Sequence, residues 1–507
     1  MLYKTAFPIS LLQYLFYTSE VALYPVVWTV NQLTTPFFLS TKEDHWDLEI
    51  IIKKIVYPPL IILFLLVFGI PAIFGVTLRC LLHLFRRPYV LSVEKSFHPP
   101  SINERRASIS VGRLHPDGRR NSLLSKSLSK TFTISSANLC LLPELLSRIN
   151  NLPNTDHRSW KIGERIVIDQ FFFQNSMNSI QSFSPVLRKN SGTSRSEKTV
   201  FEPGHNILTH FPKLDFVCLQ ETWDRDYSHK LMSELHKVFP WILYDVGKTN
   251  LWTNRFMLNS GLMLASKYEI LDADFHPYTD SFSQCLYSSK GLLMTKVLLS
   301  STEHHDEVGY IFTTHLQAYQ GMEDIIQKQL DEILSWTKKF RKESVKSEDI
   351  VVFDVLCGDF NFDNISPIDE PCTRHKLFDV YEDVCRISPG QDQDWTVGTE
   401  MRQMCLWEEQ ISSPEGLKEA LEDPILRHRY VVDSNIKDGT MREICKTKPL
   451  EDQDVKTKLM GVSGKRRIDY ILYRKDTPLA VQNFSFVTRL ATLTDHIPVT
   501  MTFSSQQ

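Results

Sequence analysis

Twenty-two consecutive residues, "YPPLIILFLLVFGIPAIFGVTL" (57–78), carry no charge. As a helix this run extends roughly 33 Å, enough to cross the core of a bilayer. It commits one end of the chain to a membrane, while a length of 507 residues leaves room for a large domain outside it. An earlier apolar stretch at about 8–39 is interrupted by Glu20, and Pro25 and Pro36 break its helical continuity. Lys53 and Lys54 precede the second segment and Arg79, Arg86 and Arg87 follow it, which draws both flanks to the cytosolic face. With Gly69, Pro71 and Gly75 available for a bend, two spans and two re-entrant hairpins both satisfy the pattern. Either leaves the long C-terminal part on the same side as the N-terminus.

Charge has to be read locally, because 57 basic and 60 acidic residues nearly cancel to −3. That balance excludes the global basic bias of a dedicated nucleic-acid binder. Residues 79–130, however, hold eleven basic residues against Glu94, Glu104 and Asp117. Next to a membrane segment such an excess reads as attraction to anionic headgroups, about 1 kcal/mol per basic residue near the surface. "RRAS" (105–108) and "RRNS" (119–122) place Ser108 and Ser122 after paired arginines, where phosphorylation is expected to weaken that contact. Cys80 is a juxtamembrane candidate for palmitoylation or a passive apolar cysteine. Nine cysteines without paired CxxC units match neither a disulfide framework nor a zinc site, which fits a reducing, cytosol-facing catalytic part.

From about 133 the pattern turns globular. The stretches 162–172 and 323–340 are apolar at helical spacing, with Ile326, Leu330, Ile333 and Leu334 forming one stripe that predicts sheet-covering helices. Residues 173–205 read as a disordered insert and 386–460 as an excursion between strands. Six other segments pair a strand-like apolar run with polar residues at its end: "FTISSANLCLLP" (132–143), "LDFVCLQE" (214–221), "VGYIFTTHL" (308–316), "DVLCGDFN" (354–361), "RRIDYILY" (466–473) and "LATLTDHIPV" (490–499). They carry Asn138, Glu221, His315, Asp359 with Asn361, Asp469, and Asp495 with His496. Each alone reads as a surface acid, a core histidine, a turn or a helix cap. Six together predict strand ends converging on one polar site, since carboxylates beside buried strands need partners or a metal. Glu221 and Asn138 offer hard oxygen ligands of the kind Mg²⁺ takes. His496 beside Asp495 offers a base oriented by a carboxylate. Asp359 and Asn361 would share a face on an extended strand, and Asp363 and Asn364 would shape the turn beyond it.

The runs "LQE", "LNSGLMLASKY" (258–268), "TTHLQA", "CGDFNFDN", "RRIDYIL" and "LTDHIPV" occur in the order of the endonuclease/exonuclease/phosphatase superfamily. With "ANLCLLP", "RINNL", "LYDVG" and "SSKG", and with the paired apolar segments and basic region before them, the chain resembles the vertebrate membrane-bound neutral sphingomyelinases over nearly its whole length. The weakly matched parts are the short 173–205 insert and 401–460. The resemblance implies a four-layer α/β/β/α sandwich of the DNase-I-like kind after N-terminal membrane segments. It implies Mg²⁺-dependent hydrolysis of sphingomyelin to ceramide and phosphocholine. By motif, Glu221 and Asn138 would bind the metal and His496 would be the general base, oriented by Asp495. Asp359 and Asn361 would position the attacking water and stabilise the transition state, His315 would hydrogen-bond the phosphate, and Asn259 and Lys290 would lie near the phosphate or its entrance. The family commonly has an acidic residue shortly before that lysine, whereas "SFSQCLYSS" (281–289) has none. Asp469 is left as an acceptor for either His496 or Arg467.

The expected division is residues 1–85 as membrane segments, 86–130 as a basic juxtamembrane region, and 131–507 as the catalytic domain. A nuclease or inositol-lipid phosphatase shares the GDxN and DH elements, but the basic excess here is juxtamembrane and "GDFNFDN" supplies acids and amides. A catalytically silent membrane scaffold would need none of the site residues together. The expected partners are sphingomyelin, an activating anionic phospholipid and a membrane, not nucleic acid. The catalytic domain is expected to face the cytosol from the Golgi, plasma membrane, endoplasmic reticulum or mitochondrion.

Overall fold

Described in this computed structural model are residues 2–43, 47–94, 130–181, 206–248, 258–434, 463–477 and 479–505. Most of the basic region, with Ser108 and Ser122, lies outside the described residues, as do 182–205 of the expected insert and 435–460 of the expected excursion. The first part of that insert, 173–181, extends a helix instead.

Both N-terminal apolar segments are helical. The first, α1 (Ser10–Trp28), runs through Pro25, whose carbonyl accepts from the Thr29 hydroxyl at 2.7 Å, and ends in a wider turn over Thr29–Leu33. The second, α2 (Leu48–His83), continues through Pro58, Pro59 and Pro71 as one helix, which is the span rather than the re-entrant hairpin of the two alternatives. Gly75 serves close approach here, because a Cβ there would lie 2.9 Å from the Ser19 carbonyl of α1. Among the described residues α2 is the one helix long and apolar enough to cross a membrane, and Leu66 and Ile70 on it are 74% and 79% exposed.

The hairpin lies along the folded domain. At its base the Leu91 and Arg87 amides donate to the Tyr3 and Ala6 carbonyls (2.6 and 2.8 Å). Midway, Glu20 pairs with Arg225 at 2.5 Å. At its tip the Thr41 amide donates to Asn151 (2.7 Å) and Glu43 pairs with Arg148 (2.8 Å). Val90–Val93, expected in the juxtamembrane region, is strand β1 at the edge of the catalytic sheet, because it follows α2 directly and pairs with Trp241–Tyr244.

Two sheets form the body. The eight-stranded one runs in the order β1, β5 (Trp241–Tyr244), β6 (Met263–Ser266), β4 (Phe216–Thr222), β2 (Thr131–Leu141), β16 (Val499–Ser505), β15 (Leu479–Val487), β3 (Ile207–Leu208). In the six-stranded one the order is β11 (Tyr381–Glu382), β14 (Asp469–Arg474), β10 (Asp349–Asp359), β9 (Asp306–His315), β8 (Gly291–Ser301), β7 (Glu269–Pro277). A small hairpin, β12 (Arg386–Ser388) with β13 (Gln391–Asp392), stands apart. After β2 the chain turns into a short helix, α3 (Glu144–Ile149). Three longer helices follow: α4 (Thr155–Gln181), α5 (Arg225–Leu235) and α6 (Glu323–Ser344).

Strand periodicity assigns the faces. Phe216 and Cys218 enter the core between the sheets with Val355 and Cys357. Val217 and Leu219 face outward to Ile162 of α4 and Leu231 of α5. Leu356 meets Ile326, Leu330 and Ile333 of α6 on the other outer face. The result is the four-layer α/β/β/α sandwich. Residues 490–498 form a loop rather than a strand, and β16 begins only at Val499, beyond Pro498.

Gly358 fixes the close approach of β10 to β9. Its φ is +145°, and a Cβ would meet the Thr314 carbonyl oxygen at 2.0 Å. Gly358→Ala is therefore expected to destabilise the domain by about 2–3 kcal/mol. A thermal unfolding midpoint equal to that of the unchanged chain would refute this.

Candidate active site

The two central strand pairs bring the polar ends together. Asp359, the last residue of β10, is in register with His315 of β9 on one side and Asp469 of β14 on the other. From the facing sheet, Asn138 of β2 and Glu221 of β4 reach the same point. Asn138 Nδ2 donates to Glu221 Oε1 and to Asp359 Oδ2, both at 2.9 Å, and its Oδ1 accepts from the Cys140 amide at 3.1 Å. One amide thus bridges carboxylates from both sheets. Glu221 and Asn361 hold left-handed backbone angles, φ +58° and +57°, a strain that a packed functional site can sustain.

The carboxylate that orients His496 is Asp469, not its chain neighbour Asp495. His496 Nδ1 lies 2.8 Å from Asp469 Oδ2, leaving Nε2 for the cleft. Asp495 instead accepts from Gln403 Nε2 at 2.8 Å. Arg467, the other partner open to Asp469, pairs with Asp383 (2.7 Å) and Asp392 (3.0 Å). Asp359 and Asn361 do not share a strand face, because β10 ends at Asp359 and the chain turns. The Asn361 amide donates to Asp359 Oδ1 (2.9 Å) and its side chain to the Leu316 carbonyl (3.0 Å). Asp363 caps the Ile365 and Ser366 amides at 2.8 Å, and Asn364 bonds Asp392 at 2.7 Å, so both shape the turn.

Lys290 fills the floor of the cleft. Its Nζ lies 2.8 Å from His315 Nε2 and 2.8 Å from the Leu316 carbonyl, which is how this lysine is held without an upstream acid. With Nε2 engaged, the N–H groups facing the cleft there belong to Lys290, not to His315. His315 itself stacks on Trp223, ring centroids 5.7 Å apart. Asn259 does not join the cleft: it donates to Asp245 (3.3 Å) and accepts from the Gly261 amide (2.9 Å), and Asp245 is paired with Arg86.

The electrostatics follow from burying several acids together. Burial, with Asp495 nearby, pushes Glu221 up to about 7 despite Asn138, Lys290 and His496. Burial likewise raises Asp359 to about 6 against the pull of His496. For His315, burial and then Lys290 hold the imidazole well below the usual range and keep it neutral. For His496 burial also disfavours charge, but Asp469, with Asp359 and Asp495 beyond it, outweighs that and holds it well above the usual range. Ligand atoms of Glu221, His315 and Asp359 lie within 4.8 Å of one another. Since the His315 nitrogen is occupied, what the cluster offers is carboxylate oxygen with incompletely compensated charge, a donor set that fits a hard divalent cation.

A cleft of about 1100 Å³ opens above this floor. Its mouth includes Leu146, Ile149, Tyr287, Tyr319 and Met404, between 40% and 68% exposed. One wall comes from 400–433, the segment read as a mere excursion: Glu400 bridges to His496, and Gln403 holds Asp495. No spacing signal marks Gln403, because it reaches the site through a contact with residue 495 that is remote in sequence. Arg466 ties the same wall to the turn, meeting Glu400 (2.6 Å) and Asp363 (3.0 Å).

A model of the endonuclease/exonuclease/phosphatase family matches residues 202–496. The chain is 31% identical to sphingomyelin phosphodiesterase 5 of Mus musculus over 97% of its own length and 92% of that protein. It is 29% identical to sphingomyelin phosphodiesterase 5 of Danio rerio over 98% and 97%. With sphingomyelin phosphodiesterase 3 of Homo sapiens the identity is 38%, over 59% of this chain and 46% of that one. By the reach of the first match and the near full-length span of the second, the chain belongs to the endonuclease/exonuclease/phosphatase family and, within it, to the sphingomyelin phosphodiesterases.

Proposed function

We propose that the protein is a membrane-bound, Mg²⁺-dependent enzyme that hydrolyses sphingomyelin to ceramide and phosphocholine. The observation that carries this reading is the cleft itself, a floor of carboxylates, imidazoles and one ammonium beneath a mouth of exposed apolar side chains. Such a mouth suits a lipid better than the phosphate backbone of a nucleic acid, which calls for a basic groove. Relatives named as sphingomyelin phosphodiesterases support the same substrate.

In this reading Glu221, bridged by Asn138 to Asp359, holds Mg²⁺, and Asn138 belongs to the metal site with it. When bound, the cation supplies Lewis acidity and charge neutralisation for an attack on phosphorus. His496 accepts the proton of the attacking water through Nε2, while Asp469 fixes the tautomer by holding Nδ1. Asp359 and Asn361 position that water. Lys290 offers its ammonium to the phosphate, and neutral His315 aims it there. Asp495 adds negative charge beside His496, favouring its protonated form after attack. Asn259 acts away from the cleft by ordering the turn at Asp245. The exposed apolar residues of α2 meet the membrane, and the basic residues of 79–130 draw in anionic lipid. The division into membrane segments, basic region and catalytic domain is retained, with β1 added to the catalytic sheet.

Phosphocholine release from sphingomyelin vesicles at neutral pH should require Mg²⁺, stop with EDTA, and be lost in His496→Ala. Release that persists in the variant would remove His496 from its role. Since His496 must be neutral to accept a proton, the rate should fall as pH drops through its raised pKa. In Asp469→Asn, kcat should fall about a hundredfold or more and the acid limb of the kcat/KM profile should move to lower pH. An unmoved limb would show that Asp469 does not set the proton affinity of His496. Finally, vesicles containing an anionic phospholipid should be hydrolysed faster than neutral ones; equal rates would eliminate the activator.

A further inference from the structure

The hydrogen bonds around Asp495 do not stop at Gln403. The Gln403 carbonyl accepts from Asn151 Nδ2 at 2.6 Å. The same Nδ2 donates to Thr41 Oγ1 at 2.8 Å, and Asn151 Oδ1 accepts from the Thr41 amide at 2.7 Å. Four residues therefore connect the tip of the membrane hairpin to the carboxylate beside the catalytic histidine. Asn151 is buried, and it holds a left-handed φ of +60°, a conformation that asparagine adopts more readily than most residues. Trp407 Nε1 donates to its carbonyl at 2.7 Å, and Lys42 of the same tip lies over the Trp407 ring at 4.4 Å.

Beside this relay runs a second clamp. Arg148 of α3 is held by Glu43 at 2.8 Å and by Glu144 at 2.8 Å, and the Phe38 carbonyl accepts from it at 3.4 Å. Leu146 and Ile149 of the same short helix form part of the cleft mouth. A six-residue helix has little stability of its own, so these side-chain contacts fix its place. The hairpin tip thus holds both the lip of the cleft and the wall opposite.

We propose that the loop joining α1 and α2 is a positioning element of the active site, with Thr41, Asn151 and Gln403 acting in series to hold Asp495 beside His496. The seat of this loop is thereby coupled to the reactivity of the cleft through these three residues. This inference rests on the phosphodiesterase reading for its kinetic arm only.

The test uses the full chain in sphingomyelin vesicles with Mg²⁺. Thr41→Val removes only the hydroxyl, Gln403→Leu removes the donor to Asp495, and the pair is combined. Each single variant should lower kcat about three- to tenfold, the value of one net hydrogen bond, with KM and vesicle binding unchanged. The double variant should fall little further than the worse single one, the mark of one shared path. Fully multiplicative losses, or a change confined to KM or vesicle binding, would overturn the relay in favour of simple anchoring. Glu20→Gln, which loosens the hairpin midway at Arg225, serves as the comparison. An equal drop in kcat there would replace the relay by general undocking. A substrate-independent arm follows amide hydrogen exchange: Thr41→Val should speed exchange at the Met401 and Ile497 amides, which bond the Asp495 and Thr399 carbonyls across this wall. Unchanged exchange there would refute the coupling, even in a protein that proved inactive on sphingomyelin.

Discussion

The site depends on one electrostatic constraint: Glu221, Asp359 and Asp469, from strands of two facing sheets, and Asp495, from the loop before β16, are brought into one cleft floor. Lys290 and His496 stand against them in that floor, and they leave Glu221 and Asp359 under-compensated. The raised values of Glu221 and Asp359, about 7 and about 6, express this. A carboxylate whose affinity for protons is higher folded than unfolded adds stability at low pH that is lost as pH rises through the folded value. For these two acids that window lies between the ordinary carboxylate range and about 7. A divalent cation bound there would reverse the balance by replacing the retained protons, so metal binding near neutral pH would release protons.

The same constraint explains the division of labour between the histidines. His315 and His496 lie in one buried cluster, yet they are driven in opposite directions. His315 meets the Lys290 ammonium, which adds to the penalty of burial, so it stays neutral and serves as an acceptor. His496 meets Asp469, which overcomes that penalty. Each imidazole is assigned its role by the charge of the group bonded to it, a difference that distance from solvent does not explain.

Strand ends were legible in the sequence because their signal is local. An apolar run that leads into an acid or histidine marks β4, β9 and β10, while Asn138 sits within β2 and Asp469 opens β14, and the convergence of these residues follows from the sandwich. Partner choice was not legible. Asp495 adjoins His496 in the chain, but successive side chains diverge, and the carboxylate that reaches Nδ1 comes from a strand 27 residues away. Gln403 carries no pattern at all, and Asn151 lies in "RINNL" with no mark of its partners, since their role exists only after three remote segments have met. The prolines of α1 and α2 misled for a related reason: a proline costs one helical hydrogen bond, and the packing of two apolar helices outweighs that loss without leaving a mark in local sequence.

The placement of the hairpin carries the argument from fold to regulation. A hairpin joined to the domain only at its base could move as a tether, leaving the cleft indifferent to it. Here the base is fastened at Tyr3 and Ala6, the middle at Glu20, and the tip at Thr41 and Glu43. Three attachments along one antiparallel pair restrict the hairpin to lying beside the domain, with its apolar residues free on the outer side. The surface that would contact lipid and the wall that holds Asp495 therefore belong to one mechanical unit. A shift of the hairpin at its tip stretches the bonds there, and those bonds lead to Asp495, the neighbour of His496 in the chain.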